Sequence, residues 1–112
     1  MKTPERKDHR QLAEALRRRV LEGAAETTPA VRQAAAACAT GERAPTDAIE
    51  ALAEQIGSAS YRVTDQAVAA VVEATGSQKA AFEIVAAAAA GAGLLRWATA
   101  LRVLDEVADA SV

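Results

Sequence analysis

Gln78 to Val107, QKAAFEIVAAAAAGAGLLRWATALRVLDEV, is the stretch that decides the fold. Phe82, Val85, Ala86, Ala89, Gly93, Trp97, Leu101 and Leu104 recur at steps of three and four, the period of one helical face. Between Ala86 and Gly93 no side chain exceeds a methyl group. A helix built this way lets a neighbouring backbone approach closely, so its expected place is the centre of a bundle. A larger residue at Ala89 or Gly91 should then find no room. A second apolar face, Ile84, Ala88, Gly91 and Leu95, runs along the same helix, and one small domain has difficulty covering both.

Working outward, the remaining helices are marked by their ends. Thr3-Pro4-Glu5 opens a first helix carrying Leu12, Leu16 and Val20, closed by Gly23. Thr28-Pro29 starts a second, alanine-rich helix that stops near Gly41. Pro45-Thr46-Asp47 begins a third, with Ile49, Leu52, Ala53 and Ile56 on one face and Gly57 at or near its end. Thr64-Asp65 caps a fourth with Ala67, Val68, Val71 and Val72 inward, ended by Gly76. Ser77 caps the long fifth. No segment alternates with period two and none repeats. The fold class is therefore all-α, a bundle of about five helices in one domain over 1–112. A basic N-terminal helix (1–24) precedes the helical core (28–108).

Of the 112 residues 51% are hydrophobic but only 3% aromatic, because alanine dominates. Alanine forms helices well and buries little area, so close packing and burial against other subunits are expected. The net charge of −2 is uneven: residues 1–22 carry +3 and the rest −5. The Arg17-Arg18-Arg19 cluster reads as a solvated face suited to a helix C-terminus. No aromatic or second basic segment accompanies it, so a nucleic-acid partner is not expected. The uncharged apolar run Ile84–Leu95 is shorter than the roughly 20 residues of a membrane span. With no apolar signal core at the N-terminus, a soluble cytoplasmic protein is expected.

Few residues offer chemistry. Cys38 has no second thiol and reads as a small core residue in a reducing compartment. His9 lies among charged neighbours, and one His and one Cys on separate helices imply neither metal nor cofactor. Glu83 and Arg96 flank the apolar tract, where charges mark either a polar cavity, an intersubunit ion pair or ordinary surface. Tyr61, the only tyrosine, stands just before the fourth helix. These three are the candidate site residues.

The run Tyr61-Arg62-Val63-Thr64-Asp65-Gln66-Ala67-Val68, then Gly76, then Phe82-Glu83-Ile84-Val85 with its alanine tract, Leu95-Arg96 and Leu101, resembles the AhpD-like, carboxymuconolactone decarboxylase-like proteins. The similarity is to a short, divergent branch in which a segment like Thr28-Pro29-Ala30-Val31-Arg32-Gln33-Ala34 precedes the V-T-D helix. It covers roughly 28–108. The resemblance implies an all-α bundle that assembles as homo-oligomers. It also implies, in the redox members, a Cys-x-x-Cys pair served by a glutamate and a histidine. That motif has no counterpart here, since Cys38 stands alone. Three functions follow as expectations. The first is a non-redox, non-catalytic oligomer acting as an accessory or interaction subunit, with a protein partner. The second is a decarboxylase- or isomerase-type enzyme using Glu83 with Arg96 or Tyr61 on a small organic acid. The third is a nucleic-acid binder through the first helix, against which the net acidity weighs.

Overall fold

Each helix begins where a short oxygen-bearing side chain can take one of the first free N–H groups. The computed structural model describes residues 8–110. Its elements are α1 (His9–Glu22), α2 (Pro29–Ala39), α3 (Ala48–Ala59), a single 3₁₀ turn (Ser60–Arg62), α4 (Asp65–Thr75) and α5 (Gln78–Ala110). Thr28 Oγ1 accepts from the Val31 N–H at 3.3 Å, Asp47 Oδ1 from Glu50 at 2.8 Å, and Thr64 Oγ1 from Ala67 at 3.1 Å. Ser77 Oγ accepts from Ala80 at 3.0 Å, opening α5. Gly76 ends α4 at φ +89°, a left-handed conformation that costs a residue with a Cβ and lets the chain turn straight into α5.

The expected start of the first helix, Thr3-Pro4, lies outside the described residues. Asp8 is the N-cap of the helix that forms, its carboxylate accepting from the Arg10 N–H at 3.0 Å. Gly23 closes α1 as the sequence predicts. Gly57 sits within α3, two residues before its end.

At 33 residues α5 is about 50 Å long and packs against all four other α-helices. The face it buries is not the one headed by Phe82. Ala80, Ala81, Ile84, Ala87, Ala88 and Ala92 point inward, whereas Phe82 is 68% exposed and Ala89 and Gly93 face solvent. The reason lies in α2. Its inward residues Ala35, Ala36, Cys38 and Ala39 are themselves small, and Ala87, Ala88, Gly91 and Ala92 of α5 pack closely with them. Gly91 lies under Ala36 so tightly that a Cβ there would stand 2.9 Å from the Ala36 Cβ. A larger residue is therefore excluded at Gly91 as expected, but not at Ala89.

Leu21, Ala53 and Ile84 complete this main core, with Ile49 and Ile56 against it. A second cluster, Leu52, Val71 and Ala81, joins α3 and α4 to the first turns of α5. There the faces predicted for α3 and α4 are the ones turned inward. α1 runs antiparallel to the second half of α5, fixed near its start by the Arg10–Asp105 ion pair at 2.7 Å. From Arg102 onward every described residue of α5 is exposed. By length and composition alone α5 could cross a membrane, since Glu83 and Arg96 are the only charges between Ala80 and Leu101. Its buried face packs on the bundle.

Candidate functional site

The α1–α2 connection is held between two charges, each aimed at the backbone polarity it suits. Glu83 rises from the first turns of α5. Its Oε1 accepts from the Thr27 N–H at 2.8 Å and the Thr27 hydroxyl at 2.7 Å, and its Oε2 from the Glu26 N–H at 3.1 Å. Those N–H donors, Thr27's first, hold its pKa down from 4.5 to about 2. From the other side Arg32, buried in α2 at 2% exposure, donates to the carbonyls of Val20 and Gly23, each at 2.5 Å, and more weakly to Thr27 at 3.4 Å. Val20 and Gly23 are at the C-terminal end of α1, where carbonyls are unpaired and the helix dipole is negative. That field offsets part of the cost of burying a guanidinium with no carboxylate bonded to it, although Nε is buried without a partner.

A second polar cluster closes the α2–α3 loop. Glu50, 8% exposed, accepts from Arg43 Nε at 3.1 Å and Nη2 at 3.2 Å. It also accepts from the Thr46 N–H at 3.1 Å and the Thr46 hydroxyl at 3.0 Å. With Asp47 accepting from the Glu50 N–H, the pair forms a variant of the reciprocal helix-start cap, the return bond reaching one residue further back. The Arg43 hydrogen bonds lower the Glu50 pKa. Cys38 Sγ lies 3.8 Å from Glu50 Oε1. Burial first, and that carboxylate second, raise the Cys38 pKa, so the thiolate is disfavoured.

The three residues nominated from sequence are not brought together. Glu83 is engaged with the α1–α2 loop. Arg96, thirteen residues and about 20 Å further along α5, donates from Nη2 to the Gly57 carbonyl at 2.6 Å. It thereby serves a carbonyl in the last turn of α3. Tyr61 is 82% exposed, with the Arg62 guanidinium 5.6 Å over its ring. Arg96 borders an open hollow of about 250 Å³ beside Cys38, Thr40, Glu54 and Ser58. Among the described residues no three His, Cys, Asp or Glu side chains are grouped as a metal site requires.

What the sequence reasoning passed over is Arg32 and Glu50. Each had a signal: Arg32 is the one charge in PAVRQAAAACA, and Glu50 follows Asp47 at the spacing of a capping box. The apolar exposure lies elsewhere. Leu12 and Leu16 of α1 are 45% and 50% exposed, and Leu104 and Val107 of α5 are 63% and 61% exposed. Together with Phe82 they leave one side of the α1–α5 pair apolar and uncovered.

No protein-family model, curated protein or solved structure matches this chain.

Proposed function

We propose that the chain is a non-redox helical oligomer that serves as an accessory or interaction subunit. The observation that carries this reading is the uncovered apolar side of α5, headed by Phe82 at 68% exposure. A soluble helix with so large an apolar side is stabilised when a further surface covers it. The polar residues support the reading too, because Glu83, Arg32, Glu50 and Arg96 are all spent on backbone groups or ion pairs within the chain. Cys38, buried and disfavoured as a thiolate, suits packing better than peroxide reduction. A cytoplasmic location and kinship with the AhpD-like, carboxymuconolactone decarboxylase-like proteins, through residues 28–108, are part of the proposal. Sedimentation at micromolar concentration tests it. A stable, folded species at the chain mass of 11.6 kDa would refute self-association.

A second reading is an acid–base enzyme acting on a small organic acid, and the observation favouring it is Arg96 at the rim of the 250 Å³ hollow. Saturable binding of small carboxylates, lost in Arg96→Ala, would support it. Absence of binding at millimolar concentrations would count against it.

A further inference from the structure

We propose that two copies of this chain pair through their α5 helices, antiparallel, about a twofold axis passing between Ala89 and Ala90. The proposal rests on the oligomer reading above and assigns its surface.

The stripe of α5 turned away from α2, exposed at Phe82, Ala89 and Gly93 and half-buried at Ala86, Ala90 and Trp97, is self-complementary. Phe82, Ala86, Ala89, Gly93 and Trp97 follow at steps of four and three, with Ala90 beside them. Phe82 and Trp97 stand equally far from the Ala89–Ala90 midpoint, and so do Ala86 and Gly93. An antiparallel copy therefore meets small residue with small residue at the crossing, and Phe82 with Trp97 at each end. This is the isologous arrangement a twofold requires, in which one patch matches itself. Of the three aromatic residues in the chain, two occupy these symmetric places.

The ends also match as knob and groove. Phe82 projects into solvent at 68% exposure. Beside Trp97, Leu12, Ala13, Leu16 and Leu94 line an open apolar groove of about 320 Å³, with His9 at its edge. In the antiparallel register each Phe82 reaches the other copy's Trp97 groove, so the contact forms twice. The middle is open enough for close approach: a Cβ built on Gly93 meets nothing within 4 Å. Glu83 and Arg96 lie to either side of the stripe, and each is held within its own chain. Phe82, Leu12 and Leu16 expose 68%, 45% and 50% of their surface, apolar area that the pairing removes from water.

Two measurements test this on the full chain. In a Cys38→Ser background, Ala89→Cys should form an intermolecular disulfide rapidly under mild oxidation, because the two copies of residue 89 flank the axis. Glu73→Cys, exposed on α4, should not. Gly93→Leu should keep its helical signal, having no neighbour within the chain to strike, yet raise the dimer dissociation constant at least about tenfold. An oligomer that persists with an unchanged dissociation constant in Gly93→Leu, and does not cross-link through residue 89, overturns the α5 pairing and leaves the oligomer reading standing. A wild-type chain that stays a folded monomer overturns both, and leaves the stripe to a different protein.

Discussion

Gly57→Ala is the sharpest test of how α2 and α3 meet. A methyl group there would overlap the Ala39 carbonyl oxygen and lie 2.6 Å from its carbonyl carbon and 2.7 Å from its Cα. All three are backbone atoms, so no rotamer change relieves the clash and one helix must move. Taken alone, glycine to alanine inside a helix is favourable by about 1 kcal/mol. Overpacking a tight contact costs typically about 1–3 kcal/mol, and a clash with backbone on this scale belongs at or beyond the upper end. The net expectation is a loss of about 2 kcal/mol, or about 10 °C in melting temperature for a domain near this size. Urea titration followed by far-UV circular dichroism measures it, with protein concentration held fixed because association would shift the midpoint. Ser58→Ala, exposed and next in the helix, is the control and should stay within about 0.5 kcal/mol. A Gly57→Ala variant as stable as the parent would show that the α2–α3 approach does not run through this residue.

The remaining predictions address the charges and the thiol. Arg32→Met should cost about 2–4 kcal/mol, because it strands the Val20 and Gly23 carbonyls and frees Thr27's; Arg32→Lys should recover only part, one amine being unable to reach the whole set. Glu83 is depressed from 4.5 to about 2, so its stabilising effect is complete above pH 4.5 and is lost as pH falls toward 2. Glu83→Gln should therefore be less stable than the parent at pH 6, with the gap closing across that window; an equal gap at pH 6 and pH 2 would contradict the carboxylate's role. Cys38→Ser should change stability by less than about 1 kcal/mol, and the parent thiol should alkylate on the order of 100-fold faster in denaturant than in the native state. Rapid native-state alkylation would show that the thiol is accessible.

The ends of the helices were legible because they are local chemistry. Thr28, Asp47, Thr64 and Ser77 each cap with an oxygen that a residue's own identity supplies, and Gly76 turns where only glycine turns freely. The inward side of α5 was harder. Period three-to-four fits Phe82-Ala86-Ala89-Gly93 and Ile84-Ala88-Gly91 equally well, and hydrophobicity favours the aromatic face. What distinguishes the inward face is its contact with α2, where Ala36 lies so close that Gly91 has no room for a Cβ. Size at a distance in sequence is invisible to a pattern read along one helix. The same limit hides Arg32, whose partners are carbonyls of Val20, Gly23 and Thr27, groups every residue carries and no sequence distinguishes.

These misses have a common consequence for α1. Its only buried residue is Leu21, near its end, and the exposed Leu12 and Leu16 contribute little to holding it on its own chain. Besides Leu21 and Val20 at its end, what fixes the helix is polar: Arg32 at its last carbonyls, Glu83 on the connection that follows, and the Arg10–Asp105 pair near its start. Arg10–Asp105 is solvent-exposed on both sides and worth little by itself. The first half of α1 is therefore placed accurately by its C-terminal end yet weakly bound along its length. A helix held in that way gains most from a surface that covers Leu12 and Leu16, which the other copy's Phe82 would do in the antiparallel pair proposed above. Dimer formation should accordingly slow amide hydrogen exchange in the first turns of α1 more than in α3, whose core contacts are complete within one chain.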